Sequence, residues 1–423
     1  MPPPFKKRAS AIRIGILSFV LGSAFTFLVL HHYSNPRLSD IGYIDLSVPS
    51  SLMSDAHYPI RKVWRPSDGT HMNVSHFIYR DLDRDGVYAT GDRPMVGVAV
   101  RLTRPDGSHV IRRSNIHGFV NFTNSLTASP VDVSHPGDYE FEVLVPDGWM
   151  TTSDNLVQTA HYTIKPGSRP GIIANHVPEP TGLVQKLTIS GSVVNQNYEP
   201  VGSRVEVIAT PENGDQIIQV TDRKGNFSFE ANPGLWRIEV GNVELGNSVV
   251  RDANVRNAPV RLSAMVLGDD RPHDYSESQY TIDFETITLS QITKMPNGPA
   301  GLSWQNLIVT ENEYYRGEGY INNTMSGRYV GYNTSGYPVV ISHPDGFNFH
   351  GGYFGVAWAR AEGETLHIRA WREDKLVGVE SYTLSALGPF WFDADYRNIT
   401  RLELETEHYW QFVTDDLVFS TNK

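Results

Sequence analysis

Short runs of alternating hydrophobic and polar residues recur along most of this 423-residue chain. Clear examples are the segments 96–103, 139–145, 187–194 and 204–210, which are bounded by glycine, proline, asparagine or aspartate. A period of two residues turns one face of an extended segment inward and the other outward, and turn residues end each run. Helical periodicity is almost absent from this part of the sequence. The pattern therefore predicts an all-β protein built from half-buried antiparallel strands.

The N-terminal part breaks this pattern with one uncharged hydrophobic run at 14–30, which follows a basic segment. At about 1.5 Å per residue, the run is long enough to cross a bilayer as a short helix, and a basic flank stays on the cytoplasmic side. The sequence predicts a cytoplasmic tail at 1–13, a single transmembrane helix at 14–30, and export of the remaining chain to the periplasm or cell surface. The alternative is a signal peptide that is cleaved after Ala24, where small residues suit a signal peptidase.

Segments rich in proline and polar residues divide the exported part into modules. Such segments lack the alternation of strands and are typical of linkers. We therefore predict, in chain order, a stalk, a first module, a linker, a second module, a second linker and a third module, at 31–71, 72–165, 166–185, 186–267, 268–279 and 280–423.

The first two modules contain an internal repeat, seen in the segments 114–122 and 221–229. Each segment places a polar turn and a glycine before aromatic strand positions, and each is followed by Pro-Gly and a further aromatic strand. The second copy resembles the carboxypeptidase regulatory-like sandwich of transthyretin type, and the first copy resembles the B-type repeats of bacterial surface adhesins. This resemblance implies two tandem prealbumin-like or Ig-like β-sandwiches.

An acidic loop in the first module carries the clearest chemical signal in the sequence. Carboxylates stand at its first, third and fifth positions, a glycine at the sixth and another aspartate at the twelfth. Oxygen ligands at this spacing wrap a hard cation, and calcium accepts the roughly six to eight oxygens that such a loop and water can supply. The alternative is a solvated acidic turn. The predicted calcium ligands are Asp81, Asp83, Asp85, the Val87 carbonyl and Asp92.

The third module is the most aromatic. Its landmarks lie at 282–285, 301–306, 331–333, 347–358 and 412–419. Their order resembles extracellular jelly-roll modules of bacterial envelope proteins, which are related to carbohydrate-binding sandwiches. The resemblance implies that the first and last strands lie together, with a cation between an early acid and a late aspartate. The alternative is that these acids cap strand ends. The candidate cation ligands are Glu285, Asp415 and Asp416.

Two aromatic strands of the third module predict a carbohydrate-binding face. A sugar ring stacks on a flat apolar ring, while planar polar groups bind its hydroxyls. Alternation within 366–374 and 390–395 places one tryptophan and one charged neighbour of each strand on the face opposite its hydrophobic residues. The alternative is that these rings belong to the core of a two-sheet sandwich. The predicted ligand-binding residues are Trp371, Trp391, Arg369 and Asp393.

Composition and charge narrow the functional classes. The formal net charge is -11 at pH 7 and the pI is near 5.7, which argues against binding to nucleic acid. The chain has no cysteine, so disulfides, iron–sulfur clusters and thiolate metal sites are excluded. Motifs such as HExxH and the Walker loop are absent from the sequence, and we expect no enzymatic activity.

Together these patterns predict a membrane-anchored, exported binding or adhesion protein. The two sandwiches, stiffened by calcium, would hold the third module away from the lipid bilayer, and this module would bind a polysaccharide or another envelope component. Two alternatives stay open. One is a structural or assembly subunit of an envelope complex that acts through protein–protein contacts, and the other is a carbohydrate-active enzyme whose paired carboxylates lie on distant strands.

Overall fold

The computed structural model describes residues 73–123, 132–133, 135–165, 171–174, 178–202, 204–242, 247–268 and 279–421. The predicted cytoplasmic tail, anchor and stalk lie outside these residues. No helix within the described ranges is long and apolar enough to cross a membrane. The described chain consists mainly of strands, and its helical elements are the α-helix Glu318–Asn322 and three short 3-10 turns. The prediction of an all-β protein is confirmed.

The first module consists of two sheets packed around one core. One sheet has the order β2-β1-β10-β7 with β5 also paired to β1, and the other has the order β4-β3-β6-β8-β9. Large rings such as Phe122, Phe141, Tyr139 and Tyr162 are buried between them. The strands are β1 (Asn73–Arg80), β2 (Arg93–Pro94), β3 (Ala99–Thr103), β4 (His109–Arg113), β5 (Phe119–Thr123), β6 (Gly137–Leu144), β7 (Trp149–Thr151), β8 (Val157–Lys165), β9 (Gly171–Ala174) and β10 (Thr181–Gln185).

The second module repeats this plan on a smaller scale. The order β14-β11-β17, with β18 on β11, faces the sheet β13-β12-β15-β16 across a core that includes Phe227, Phe229 and Trp236. Its strands are β11 (Thr188–Val194), β12 (Glu206–Pro211), β13 (Ile217–Val220), β14 (Asn226–Glu230), β15 (Gly234–Asn242), β16 (Asn247–Val255), β17 (Val260–Leu262) and β18 (Met265–Val266).

The internal repeat corresponds to the same turn in both sandwiches. Gly118 and Gly225 both have φ of 78°, and a side chain at either position would collide with a carbonyl of the first strand of its module. Asn115 and Asp222 begin these turns, and each side-chain oxygen accepts two backbone N–H groups. Only glycine fits such a left-handed position against a strand, which explains why the repeat is visible in the sequence.

The third module is built around two long strands, β24 and β27, which pair with each other through several bulges. On one side of β24 lie β28, β23, β22 and β20, and on the far side of β27 lie β25 and β26. The pairing of β19 with β28 places the first and last strands side by side, as the resemblance implies. The strands are β19 (Tyr280–Ile282), β20 (Ile292–Lys294), β21 (Ser303–Gln305), β22 (Leu307–Glu311), β23 (Tyr329–Asn333), β24 (Val339–Val356), β25 (Thr365–Arg372), β26 (Lys375–Thr383), β27 (Phe390–Thr406) and β28 (Phe412–Ser420).

The structure corrects the first of the two predicted linkers. The segment predicted as a linker at 166–185 contains β9 and ends in β10, in which every residue is buried. Strand β10 pairs with β1 and β7, and the prolines before it concealed this strand in the sequence. Most of the second predicted linker lies outside the described residues. The modules on either side of it share one continuous sheet, because β17 pairs in parallel with β27.

Candidate functional site

Two of the predicted ligand-binding residues, Trp391 and Asp393, lie at the joint between the second and third modules. In the β17–β27 pairing, Trp391 lies opposite Val260 and Asp393 lies opposite Leu262. The backbone N–H of Trp391 also donates to the Pro259 carbonyl at 2.8 Å. The prediction that these side chains project away from the hydrophobic core of the third module is correct, because Phe392 between them is buried there. The second module, rather than bulk water, lies next to this face.

An ion pair with a buried arginine fixes Asp393 in this joint. The Arg251 guanidinium donates to the Asp393 carboxylate at 2.8 Å and to the Asp393 carbonyl at 2.9 Å. The Arg251 side chain is only 4% exposed, and its second donor group reaches the Ser263 hydroxyl. Burial raises the pKa of Asp393, while the charge of Arg251 and hydrogen bonds from Arg251 and Trp391 oppose this shift. The ion pair therefore orients Asp393 and, through it, the Trp391 indole.

A buried carboxylate, Glu380, lies in the same joint. Glu380 of β26 accepts the backbone N–H of Ala264 from the second module at 2.8 Å. Its neighbour Tyr382 donates to the Leu262 carbonyl at 2.9 Å. Burial raises the pKa of Glu380 to about 7, against the opposing effects of the Ala264 hydrogen bond and the Arg251 charge. The two modules are thus joined by a hydrogen-bonded polar interface as well as by strand pairing.

A cleft of about 860 Å³ opens beside this joint, between the second and third modules. Trp391 lies in it, and the Tyr353 ring packs edge-to-face against Trp391 at 4.9 Å between centroids. Asp393 also lines the cleft, next to the tryptophan to which it is hydrogen-bonded. The opposite wall is the outward face of β15 and β16, with Leu235 and Asn254 among its exposed side chains. The cleft therefore combines aromatic surface with convergent polar groups.

Sequence reasoning identified only one wall of this cleft. The other wall includes Arg237, Asp252 and Arg256 at exposed positions of β15 and β16 and just after β16. Alternation along β15 and β16 predicts that such residues face outward. The alternation does not indicate which surface these residues face, since that surface depends on how the two modules pack.

The other predicted pair, Trp371 and Arg369, lies on β25 and does not line the cleft. Both residues project from the strand face opposite to its buried residues, as predicted. The Arg401 guanidinium carbon stands 4.0 Å from the centroid of the Trp371 ring. Arg369 forms ion pairs with Glu403 and Glu405 at 3.0 and 2.7 Å. One face of the Trp371 ring and the Arg369 guanidinium are thus already occupied by side chains of the neighbouring strand β27.

The acidic loop of the first module brings three of its carboxylates together. One ligand oxygen from each of Asp81, Asp83 and Asp85 lies within 4.8 Å of the others. Asp81 accepts the backbone N–H groups of Arg84 and Gly86 at 2.7 and 2.8 Å, which curls the loop around it. Desolvation and a hydrogen bond with Asp81 raise the pKa of Asp83. Carboxylates this close repel one another, and a bound hard cation would neutralise their charge.

The other two predicted calcium ligands, Asp92 and Val87, lie outside the group formed by Asp81, Asp83 and Asp85. The two oxygens of Asp92 accept the backbone N–H groups of Leu82 and Ala89 at 2.9 and 2.8 Å, so this side chain closes the loop. Burial raises the pKa of Asp92 to about 6. Val87 is exposed, and its N–H donates to Asp85. Asp92 does not belong to the close triad.

The three acids predicted as cation ligands in the third module surround the segment 325–329. Glu285 accepts two N–H groups from the end of this segment, Asp415 accepts two from its start, and Asp416 accepts the hydroxyl of Ser326. Arg93 of the first module donates to a carbonyl of the same segment. Among the described residues, these acids do not form a triad of close ligand atoms. Cation binding here stays a prediction.

A buried arginine joins all three modules, and sequence reasoning missed it. Arg80, at the end of β1, donates to the Asn322 carbonyl of the third module at 3.1 Å. It also donates to the Gln185 side chain of the first module and to the Asn257 carbonyl of the second, both at 3.0 Å. Burial lowers the pKa of Arg80 to about 10. The only signal for this junction in the sequence is that a charged residue follows directly after the hydrophobic run 77–79.

The similarity of this chain to known proteins is limited to solved structures. No family model matches this chain, and no curated protein matches it. Solved structures with local similarity include the Bacillus anthracis TIE protein (11% identity, TM-score 0.19, 46% of this chain and 34% of that one). Others are shaft pilin SpaA of Lactobacillus rhamnosus GG (12%, 0.19, 48% and 99%) and a variant of BcpA, the major pilin subunit of Bacillus cereus (9%, 0.17, 46% and 99%). At such TM-scores they carry no conclusion about this chain, whose all-β class rests on its own strands.

Proposed function

We propose that this chain is an exported, membrane-anchored binding protein that holds a polysaccharide in the cleft between its second and third modules. The observation that carries the proposal is the position of Trp391 and Asp393. The sequence singles out both as ligand-binding residues, and both line this cleft. The cleft volume of about 860 Å³ lies within the range of sites that bind small molecules or short polymer segments.

The surroundings of Trp391 suit a stacking platform. Tyr353 supports the ring from one edge, and Asp393, itself held by Arg251, accepts a hydrogen bond from the indole. A ring that is fixed before binding loses little conformational entropy when a sugar stacks on it. The convergent amides, guanidiniums and carboxylates of the cleft supply planar partners for hydroxyl groups.

A binding assay with two matched tryptophan variants tests this function. The full-length protein in detergent is applied to a polysaccharide array, and retained polymers are then titrated against Trp391→Ala and Trp371→Ala. Loss of retention in the first variant and retention in the second support the cleft. A wild-type protein that retains no polysaccharide would contradict the proposal.

Anchoring and export are part of the same proposal and rest on the hydrophobic run at 14–30. The full-length protein should stay in the membrane fraction after an alkaline carbonate wash. External protease should remove almost everything beyond residue 31. A mature chain that begins at Phe25 would contradict the anchor and favour a cleaved signal peptide.

Calcium binding by the acidic loop is the structural part of the proposal. Asp81, Asp83 and Asp85 supply oxygens within 4.8 Å of one another. Binding to the folded state alone stabilises it by about 2.7 kcal/mol at a hundredfold excess over Kd. Full-length protein should melt at a lower temperature in EDTA, and Asp83→Ala should abolish this difference while Asp374→Asn, in a distant turn, should preserve it. Equal melting of the wild type with and without chelator would refute the calcium site.

A structural or assembly role is the second candidate, and the Arg80 junction favours it. One buried guanidinium holds backbone or side-chain oxygens of all three modules. Such a junction gives a stiff unit that could act as a spacer without binding any glycan. An array that stays blank, together with a partner protein recovered by cross-linking in intact cells, would favour this role.

A further inference from the structure

We infer that the cleft between the second and third modules selects uncharged polysaccharides over acidic ones. This inference rests on the proposed function and adds the class of ligand. It follows from the charges that line the cleft, which differ from those of a site built for sugar carboxylates or sulfates. The side chains on its walls that can carry a charge near neutral pH are Glu212, Asp252, Asp393, Asp416, Arg237, Arg256 and His350.

Carboxylates outnumber cationic groups in this set, even when the histidine is protonated. They also come from both walls: Glu212 and Asp252 lie on the second module, and Asp393 and Asp416 lie on the third. Even when the charge of Asp393 is balanced by Arg251, Glu212 and Asp252 on one wall and Asp416 on the other present carboxylates to a bound polymer. An acidic polymer would lose hydration on entering the cleft without gaining enough opposite charge to compensate.

The guanidiniums near the cleft are largely engaged by the protein's own carboxylates. Arg237 donates to Glu239 at 2.7 Å, and Arg251, behind the wall, is paired with Asp393. Arg237 and Arg251 are thus engaged, which leaves Arg256 as the main basic group for a fixed anion on the ligand.

Hydroxyl groups, in contrast, suit this lining. A carboxylate accepts hydrogen bonds only, and a sugar hydroxyl donates one while keeping acceptor capacity for an amide such as that of Asn254. Hydrogen bonds with one charged partner are stronger than those between neutral groups. A neutral glycan also brings no charge to be screened, so its affinity should depend little on salt.

Two matched panels of polymers test the inference with the full-length protein. The neutral panel contains dextran, a β-glucan and a galactan, and the acidic panel contains polygalacturonate and alginate. We expect retained polymers to come from the neutral panel, with acidic polymers bound at least about tenfold more weakly. Retention of neutral polymers should change less than about twofold between low and high salt.

A charge-removing variant separates this inference from the proposed function. Glu212→Gln combined with Asp252→Asn should raise the affinity for polygalacturonate relative to the wild type, while Asp374→Asn in a turn outside the cleft should not. Acidic polymers that bind the wild type as tightly as neutral ones would overturn the inference and leave the binding function standing. Retention of neither panel would overturn both.

Discussion

Two aromatic strands of the third module follow the same alternating pattern and meet different surroundings. In β25, Trp371 lies beneath Arg401 on the outer face of the module, and its neighbour Arg369 pairs with the partly exposed Glu403 and Glu405. In β27, Trp391 lies in a cleft against the second module, and its neighbour Asp393 pairs with a buried arginine. Alternation defines which face of a strand a side chain takes. It does not define what covers that face.

The difference has an energetic consequence. The Arg251 side chain is 4% exposed, whereas the Arg369 side chain is 33% exposed. Water solvates and screens the outer pair, so its contribution to stability is small. Arg251 has lost that solvation, and its removal leaves Asp393, whose side chain is 20% exposed in the cleft, with only part of its own. The polar groups of the joint are therefore more sensitive to single substitutions than those on the outer face of β25.

The largest expected effect comes from breaking the inner ion pair. Arg251→Met should lower the free energy of unfolding by up to about 3–5 kcal/mol, because Asp393 and the Ser263 hydroxyl lose a buried donor and Asp393 regains only part of its solvation from the cleft. The matched change on the outer face, Arg369→Met, should cost about 0–1 kcal/mol. Urea denaturation of both variants measures the two losses. Equal losses would show that the second module does not shield the joint from water.

The second-largest expected effect is a pH dependence of stability that arises from Glu380 in the joint. Burial raises the pKa of Glu380 from 4.5 to about 7, so the folded protein holds a proton that the unfolded chain releases. Stability should therefore fall as pH rises from about 4.5 to about 7 and then level off. The full change corresponds to about 3 kcal/mol. Arg251, Tyr382 and Tyr396 face the same carboxylate and lower its pKa against the effect of burial.

Glu380→Gln isolates this contribution from those of the other carboxylates. The variant keeps an oxygen that accepts the Ala264 N–H but cannot become charged. Its stability should equal that of the wild type near pH 4.5 and exceed it above pH 7. Thermal melts of both proteins across this range measure the difference. A difference that stays constant with pH would show that the pKa of Glu380 is the same in the folded and unfolded protein.

Local features of the fold could be predicted from the sequence because local physics controls them. The faces of β25 and β27 follow from a period of two, and the repeated turns at Gly118 and Gly225 follow from a backbone conformation that favours glycine. The acidic loop was also visible, because its carboxylates alternate within a few residues.

The joints between modules could not be predicted in this way. Arg80 and its acceptor Asn322 are 242 positions apart, and the buried strand β10 follows a proline-rich stretch that conceals it. The cleft itself needs the β17–β27 pairing, which no local pattern encodes. For the same reason Trp371 and Trp391 could not be distinguished before their neighbours were known.

The affinity of the two tryptophan variants for a retained polysaccharide tests the central claim most directly. A ring stacked on a sugar contributes through buried apolar area, so Trp391→Ala should cost about 1–2 kcal/mol, or about five- to thirtyfold in affinity. Trp371→Ala should change the affinity by less than about twofold. Arg256→Gln, an exposed change on the opposite wall, should also weaken binding without disturbing the Trp391 packing. Loss of binding in Trp371→Ala, with full binding in Trp391→Ala and Arg256→Gln, would contradict the account.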